Sequence, residues 1–196
     1  MKKMSLVSLL FVLFASAACS SLDIDGARLS AGVLRLDAEA RAEIEGLGTF
    51  EARASDTAPV GRAEVFNRVS ERTEVGLLGG YGSGRLDTTD FESYEAGAAF
   101  RHFLTEGAIR PYGELAVGYR RFQVDDDLLG SGGSDMVFGT ASLGLELRLG
   151  PKVAAFAQAG WDVAAGEDFR TDGPVGFFGL SFDLTGPRPY GIIPAP

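Results

Sequence analysis

SDMVFGTASLGLELRLGPKVAAFAQAGWDVAAG, from Ser134 to Gly166, decides how this chain folds. Every second residue of its first half is Val137, Gly139, Ala141, Leu143, Leu145, Leu147 and Leu149, while the residues between them include Thr140, Ser142, Glu146 and Arg148. A Gly150-Pro151 corner follows, and the alternation resumes with Val153, Ala155, Ala157, Ala159, Trp161 and Val163 against Gln158, Gly160 and Asp162. A period of two, held on both sides of a tight turn, is the signature of a β-hairpin with one apolar and one polar face. Which face meets water is a separate question, and alternation alone does not answer it.

The whole chain has 196 residues, enough for one domain. It carries 27 acidic against 18 basic side chains, a formal net charge of −9, which excludes the basic surface that nucleic-acid binding demands. Its 27 glycines point away from long helices and toward strands and turns.

Residues 1–18 read as a signal peptide: a basic Met1-Lys2-Lys3 leader, an apolar run from Leu6 to Ala15, then small residues. Cys19, the only cysteine, cannot form an internal disulfide. Its setting, Ser16-Ala17-Ala18-Cys19, resembles a bacterial lipobox, which implies a lipidated first residue in the mature chain; ordinary cleavage beside it is the alternative. No other stretch reaches the ~18 consecutive apolar residues of a spanning helix. If the exported chain enters a membrane, it does so as strands.

Residues 19–33 have no clear period and read as a tether, and 34–184 as the barrel. From Leu34 the alternation sorts Leu34, Leu36, Ala38, Ala40, Ala42 and Ile44 from Arg35, Asp37, Glu39, Arg41, Glu43 and Glu45. A helix would scatter those charges around its circumference, so the segment reads as a strand. About eight strands follow in a meander of hairpins, giving antiparallel neighbours throughout. Tight corners at Val69-Ser70-Glu71, Thr105 to Ala108 and Gly150-Pro151 alternate with longer stretches at Ser55–Pro59, Arg85–Asp90, Asp125–Gly133 and Ala165–Gly173, which read as loops. Short turns at one end and long polar loops at the other suit a transmembrane β-barrel. Residues 185–196 form a Pro-rich C-terminal tail.

Two arrangements fit the alternation: a soluble barrel with apolar lining, or a membrane barrel with an apolar outer face. The polar face mixes both signs on single strands, as a sealed interior requires. Glu43, Arg62, Glu64, Glu95, Arg101, Glu114, Arg120, Glu146, Arg148 and Asp162 are therefore candidates for a lumen charge network. On the apolar face Phe50, Tyr81, Tyr94, Tyr119, Trp161 and Phe178 fall near the long-loop ends of their strands, as an aromatic belt at a bilayer interface would. The apolar face is expected to point outward.

Gly79-Gly80-Tyr81-Gly82, Gly118-Tyr119-Arg120, Ala159-Gly160-Trp161 and the closing Gly179-Leu180-Ser181-Phe182-Asp183-Leu184 resemble the small eight-stranded outer-membrane barrels of Gram-negative bacteria, OmpA/OmpX-type and opacity-protein-like. The resemblance implies an all-β, eight-stranded antiparallel up-and-down transmembrane β-barrel in the outer membrane. It also implies a non-enzymatic monomer with a structural or surface-interaction role. Outer-membrane lipid and lipopolysaccharide are its expected partners, and no cofactor is expected. The pattern departs from the family's in continuing past the last strand through Thr185 to Pro196.

Candidate catalytic and metal sites are few. His102, the only histidine, has Leu104 where the lipid-A deacylases place a serine, so it reads as an interfacial residue rather than a base. Asp125-Asp126-Asp127 lacks the alternate oxygen ligands and glycine of a calcium loop, because Leu129 fills a ligand position. Two alternatives to the surface-protein reading are a lipocalin-like anchored barrel that binds an apolar ligand, and a narrow ion pore through the lumen.

Overall fold

The structure, a computed structural model, describes residues 24–44, 48–86, 89–126, 130–167 and 169–185; the side chains of residues 40–52, 86, 125–126 and 130–131 are not among those described. Eight strands follow one another without a helix among the described residues: β1 (Gly26–Ile44), β2 (Gly48–Ser70), β3 (Thr73–Leu86), β4 (Thr89–Phe103), β5 (Ile109–Asp126), β6 (Gly130–Arg148), β7 (Val153–Ala165) and β8 (Phe169–Asp183). Each pairs with its sequence neighbour, and β8 closes on β1. The closure leaves no free edge along the paired length, the condition for burying a sheet in lipid.

The register fixes the shape. Paired residues followed once around from Arg28 run through Glu64, Leu78, Gly97, Gly118, Phe138, Ala164 and Thr171 and return to β1 at Ala38, ten residues higher. With a rise of ~3.3 Å per residue and ~4.7 Å between strands, that stagger tilts the strands by about 41° and gives about 2.5 Å of height per residue.

Two readings of the sequence are corrected here. The tether ends earlier than Val33, because β1 begins at Gly26 and pairs with β2 and β8 from that residue. The stretches read as loops are mostly strand: Ser55–Pro59 pairs with Val33–Asp37, and Phe169–Gly173 lies in β8. Acidic and small residues in these stretches still form ladders.

The ladder between β2 and β3 stops at Val60↔Gly82, one residue below Pro59. The Pro59 carbonyl lies on the β3 side, 3.3 Å from where a Cβ on Gly82 would sit. The missing proline N–H therefore falls on the edge that would continue the ladder.

Candidate functional site

Outside the wall, the residues between the turns and the tyrosines are apolar or small, with Asn67, Thr73 and His102 in the lower third. Leu143 is 74% exposed, and Val33, Leu115, Val117, Leu145, Leu180 and Leu184 are exposed with it. This band is about 28 Å tall from the stagger, near the ~25 Å apolar girdle of outer-membrane barrels. Tyr81, Tyr94, Tyr119 and Trp161 are outward, 43–50% exposed, and lie within about 6 Å of one height near its upper edge. Phe178 shares the face but sits about 10 Å lower, inside the band rather than in the belt. The side chains of Phe50 and Glu43 lie outside the described residues.

Inside, the charges fall into two layers. In the lower one Arg28 donates to Glu74 and Glu146, both at 2.8 Å, and Arg68 donates to Asp183 at 2.8 Å. Arg101 is the hub: it bonds Glu64 at 2.9 Å, Glu74 at 3.3 Å and Glu114. Arg110 bonds Glu146 and lies 3.8 Å over the Phe103 ring. Gln158 donates to Glu114 at 3.0 Å and accepts from the Tyr112 hydroxyl at 2.8 Å. In the upper layer Arg62 bonds Glu95 and sits 4.3 Å over Phe177. Arg120 joins Glu95 at 2.9 Å to Asp162 at 2.7 Å, and Thr140 donates to Asp162 at 3.2 Å. Arg62 and Arg120 balance Glu95 and Asp162 within this layer, whereas in the lower one Arg28, Arg68, Arg101 and Arg110 face Glu64, Glu74, Glu114, Glu146 and Asp183.

The expected lumen residues Arg62, Glu64, Glu95, Arg101, Glu114, Arg120, Glu146 and Asp162 all join this network, and Arg148 lies half-buried at its lower end. Arg28, Arg68, Glu74, Arg110 and Asp183 were missed. Arg28 lay in the segment read as tether. Glu74 carried the signal that would have found it, standing on the opposite face from Val75 and Leu77.

Glycine makes room for the aromatic rings between these charges. A Cβ on Gly144 would lie 2.2 Å from the Tyr112 ring, and one on Gly26 would lie 2.2 Å from Phe66. Phe138 covers the facing pair Gly97↔Gly118 in the same way.

Above the upper layer the polarity inverts. Leu34, Leu36 and Ala38 point inward with 3–6% exposure, whereas Arg35 is exposed and Asp37 and Glu39 are half-exposed. The expectation that β1's apolar side meets lipid is therefore wrong at these positions. Leu34 stands at the tyrosine level and Leu36 and Ala38 above it, where the outer solvent is water and the apolar set turns in. Phe91 stacks on Phe122 at 4.7 Å and Phe122 meets Phe169 at 5.0 Å, so this part of the interior is an apolar cap over the charges.

Just outside the cap, Tyr81 and Tyr94 both donate to Glu92, at 3.2 and 2.7 Å. Arg85 grips Asp90 through Nε at 2.8 Å and Nη2 at 3.3 Å, holding the fully exposed Asp90 carboxyl below its ordinary range by hydrogen bonding and charge. His102 is exposed on β4 near the turn end, its Nδ1 3.1 Å from the Thr73 hydroxyl. The side chains of Asp125, Asp126 and Asp127, and Cys19 with the rest of residues 1–23, lie outside the described residues.

No family profile and no curated protein sequence matches the chain. Solved structures do. Neisserial surface protein A (NspA) aligns over 81% of this chain and 97% of its own at 16% identity, with a TM-score of 0.56. Ail, the attachment invasion locus protein of Yersinia pestis, aligns over 81% of this chain and 98% of its own at 14% identity, with a TM-score of 0.43. The N-terminal β-barrel domain of Pseudomonas aeruginosa OprF covers 81% and 99% at 13% identity, with a TM-score of 0.47. At 16% identity the likeness to NspA is one of fold, and it coincides with the closed eight-strand register and the outward apolar band. The chain has the architecture of the small eight-stranded outer-membrane β-barrels.

Proposed function

We propose that this chain is a non-enzymatic outer-membrane protein whose working part is the rim above the bilayer, where the wall contacts lipopolysaccharide and molecules at the surface. The observation that carries this reading is the polarity inversion: the strands continue past the tyrosine level with charged residues outside and an apolar core within. A barrel needed only as a membrane plug gains nothing from wall built for water.

The pore reading is disfavoured by the two bonded charge layers and the cap above them. An ion would have to part Arg120 from Asp162 and then pass Phe138 and the Phe91–Phe122 stack. The lipocalin-like reading is disfavoured because the same rings fill the apolar part of the interior. The test has two arms. Alkaline-washed membranes of producing cells retain the chain, and the refolded barrel in planar bilayers gives no discrete current steps. Recovery in the soluble wash removes the membrane reading, and stepwise conductance replaces it with a pore. Vesicles with and without lipopolysaccharide then test the partner, since the rim reading expects tighter retention by the former.

A further inference from the structure

We propose that a cleft on the outer face of β3 to β6, just above the tyrosine level, binds an uncharged saccharide, with one sugar ring laid against Tyr81. This deepens the rim reading and rests on it. The cleft measures about 830 Å³; Tyr81, Ser83, Asp90, Glu92, Arg121 and Gln123 give its outer walls, and Phe91 and Val124 line its inner side. Gly133 contributes only backbone beside Gln123, whereas Gly84 and Gly132 turn their missing side chains inward toward Phe91 and Val124. Its size lies in the ~300–1,000 Å³ range of small-ligand clefts.

The lining chemistry selects the ligand. Glu92 is fixed by two phenol donors, one on each carboxylate oxygen, and each oxygen keeps a second acceptor site free. Gln123 offers a donor and an acceptor on one amide, and Ser83 a hydroxyl. Arg121 is exposed, makes no ion pair with another described residue and presents a fork of N–H donors. A pair of neighbouring sugar hydroxyls, each both donor and acceptor, matches a free carboxylate edge and a guanidinium fork. The Tyr81 ring, 44% exposed and 5.3 Å from Tyr94, gives the apolar face of a sugar a flat surface.

Competing ligands fit less well. An acyl chain would desolvate Glu92, Asp90 and Arg121 without replacing their hydrogen bonds. A polyanion would meet the Asp90 and Glu92 carboxylates, and the charge of Arg85 is already engaged by Asp90. Sugars stand at this height in the membrane's own glycolipid, and free glycans arrive from outside; the chemistry is shared, so the experiment separates the two sources.

The full mature chain, refolded in detergent and verified as folded by its heat-dependent gel shift, is titrated by saturation-transfer NMR. One arm uses delipidated, dephosphorylated core oligosaccharide; the other uses maltoheptaose and chitotriose. We expect saturable binding in at least one arm below about 10 mM, weakened at least tenfold by Tyr81→Leu and by Glu92→Gln. Tyr119→Leu, at the same height outside the cleft, leaves it unchanged. Binding of the core oligosaccharide alone assigns the site to the membrane's own glycolipid, and binding of the free sugars alone assigns it to an external glycan. Folded barrel with no binding in either arm overturns the proposal, as does binding that both variants leave intact. Failure to fold or to reside in the membrane would instead strike the rim reading on which it rests.

Discussion

Replacing Arg101 with methionine removes the charge that three glutamates share while keeping most of the side chain's length. Glu74 retains Arg28 at 2.8 Å, but Glu64 loses its guanidinium bonds and Glu114 keeps only the Gln158 amide. Two carboxylates are then left nearly dry, with side-chain exposures of 10% and 5%. Removing one partner of a buried pair costs ~3–5 kcal/mol. A ceiling follows from proton uptake, since neutralising an ordinary glutamate at pH 7 costs about 3.7 kcal/mol. Two consequences separate this account from a simple loss of packing. Arg101→Met combined with Glu64→Gln and Glu114→Gln recovers most of the loss at pH 7. The deficit of the single variant also shrinks on acidification, by about 1.4 kcal/mol per pH unit for each stranded carboxyl that holds its proton in the folded barrel, until the same glutamate in the unfolded chain takes up a proton as well. Urea unfolding in micelles, followed by the gel shift and by far-ultraviolet circular dichroism at pH 5 and 7, measures both. A single variant within about 1 kcal/mol of wild type at pH 7, or a triple variant no better than the single, refutes the reasoning.

Leu143→Arg, at mid-height of the apolar band, should cost ~2–4 kcal/mol, whereas Thr57→Arg above the tyrosines should be near neutral; refolding yield into vesicles compares them. Gly118→Ala places a Cβ 2.3 Å from the Ala96 carbonyl oxygen and should cost ~1–3 kcal/mol, against little change for Gly61→Ala, whose nearest neighbour is 3.9 Å away. The Arg85–Asp90 pair lowers the proton affinity of Asp90, so the contact persists above the ordinary aspartate range and is lost as pH falls through the depressed one; side-chain carboxyl NMR should place that midpoint below ~3.9. Labelled palmitate should enter the chain in growing cells and fail to enter Cys19→Ala if the lipobox reading holds.

Sidedness was legible for most of the wall because the polar face carried both signs. A run such as Glu114 with Arg120 on one strand is an improbable water-facing pattern and a natural sealed one. The inversion on β1 was not legible. Leu34, Leu36 and Ala38 alternate with charges in the same way whether the apolar set looks out to lipid or in to a dry core, because period two records contrast and not direction. Only height decides, and height depends on a ten-residue stagger contributed by all eight strands. Arg28 was hidden for a related reason: its neighbours Gly26, Ala27, Ser30, Ala31 and Gly32 are too small to mark a face, although they suit a strand threaded between Phe66 and Phe177. The cleft was equally invisible, since its lining comes from four strands.

The reversal of lining at the tyrosine level acts as a waterline. Sinking the barrel by two residues, about 5 Å, would drag Arg35 and Arg121 among acyl chains and push Leu104, Leu149 and Leu184 into the aqueous space below, while lifting it equally would draw the charged turn residues Arg72, Glu106 and Lys152 up into the lower edge of the bilayer. Both displacements are uphill, so the molecule floats at one draught. A bilayer of another thickness has to bend to meet it.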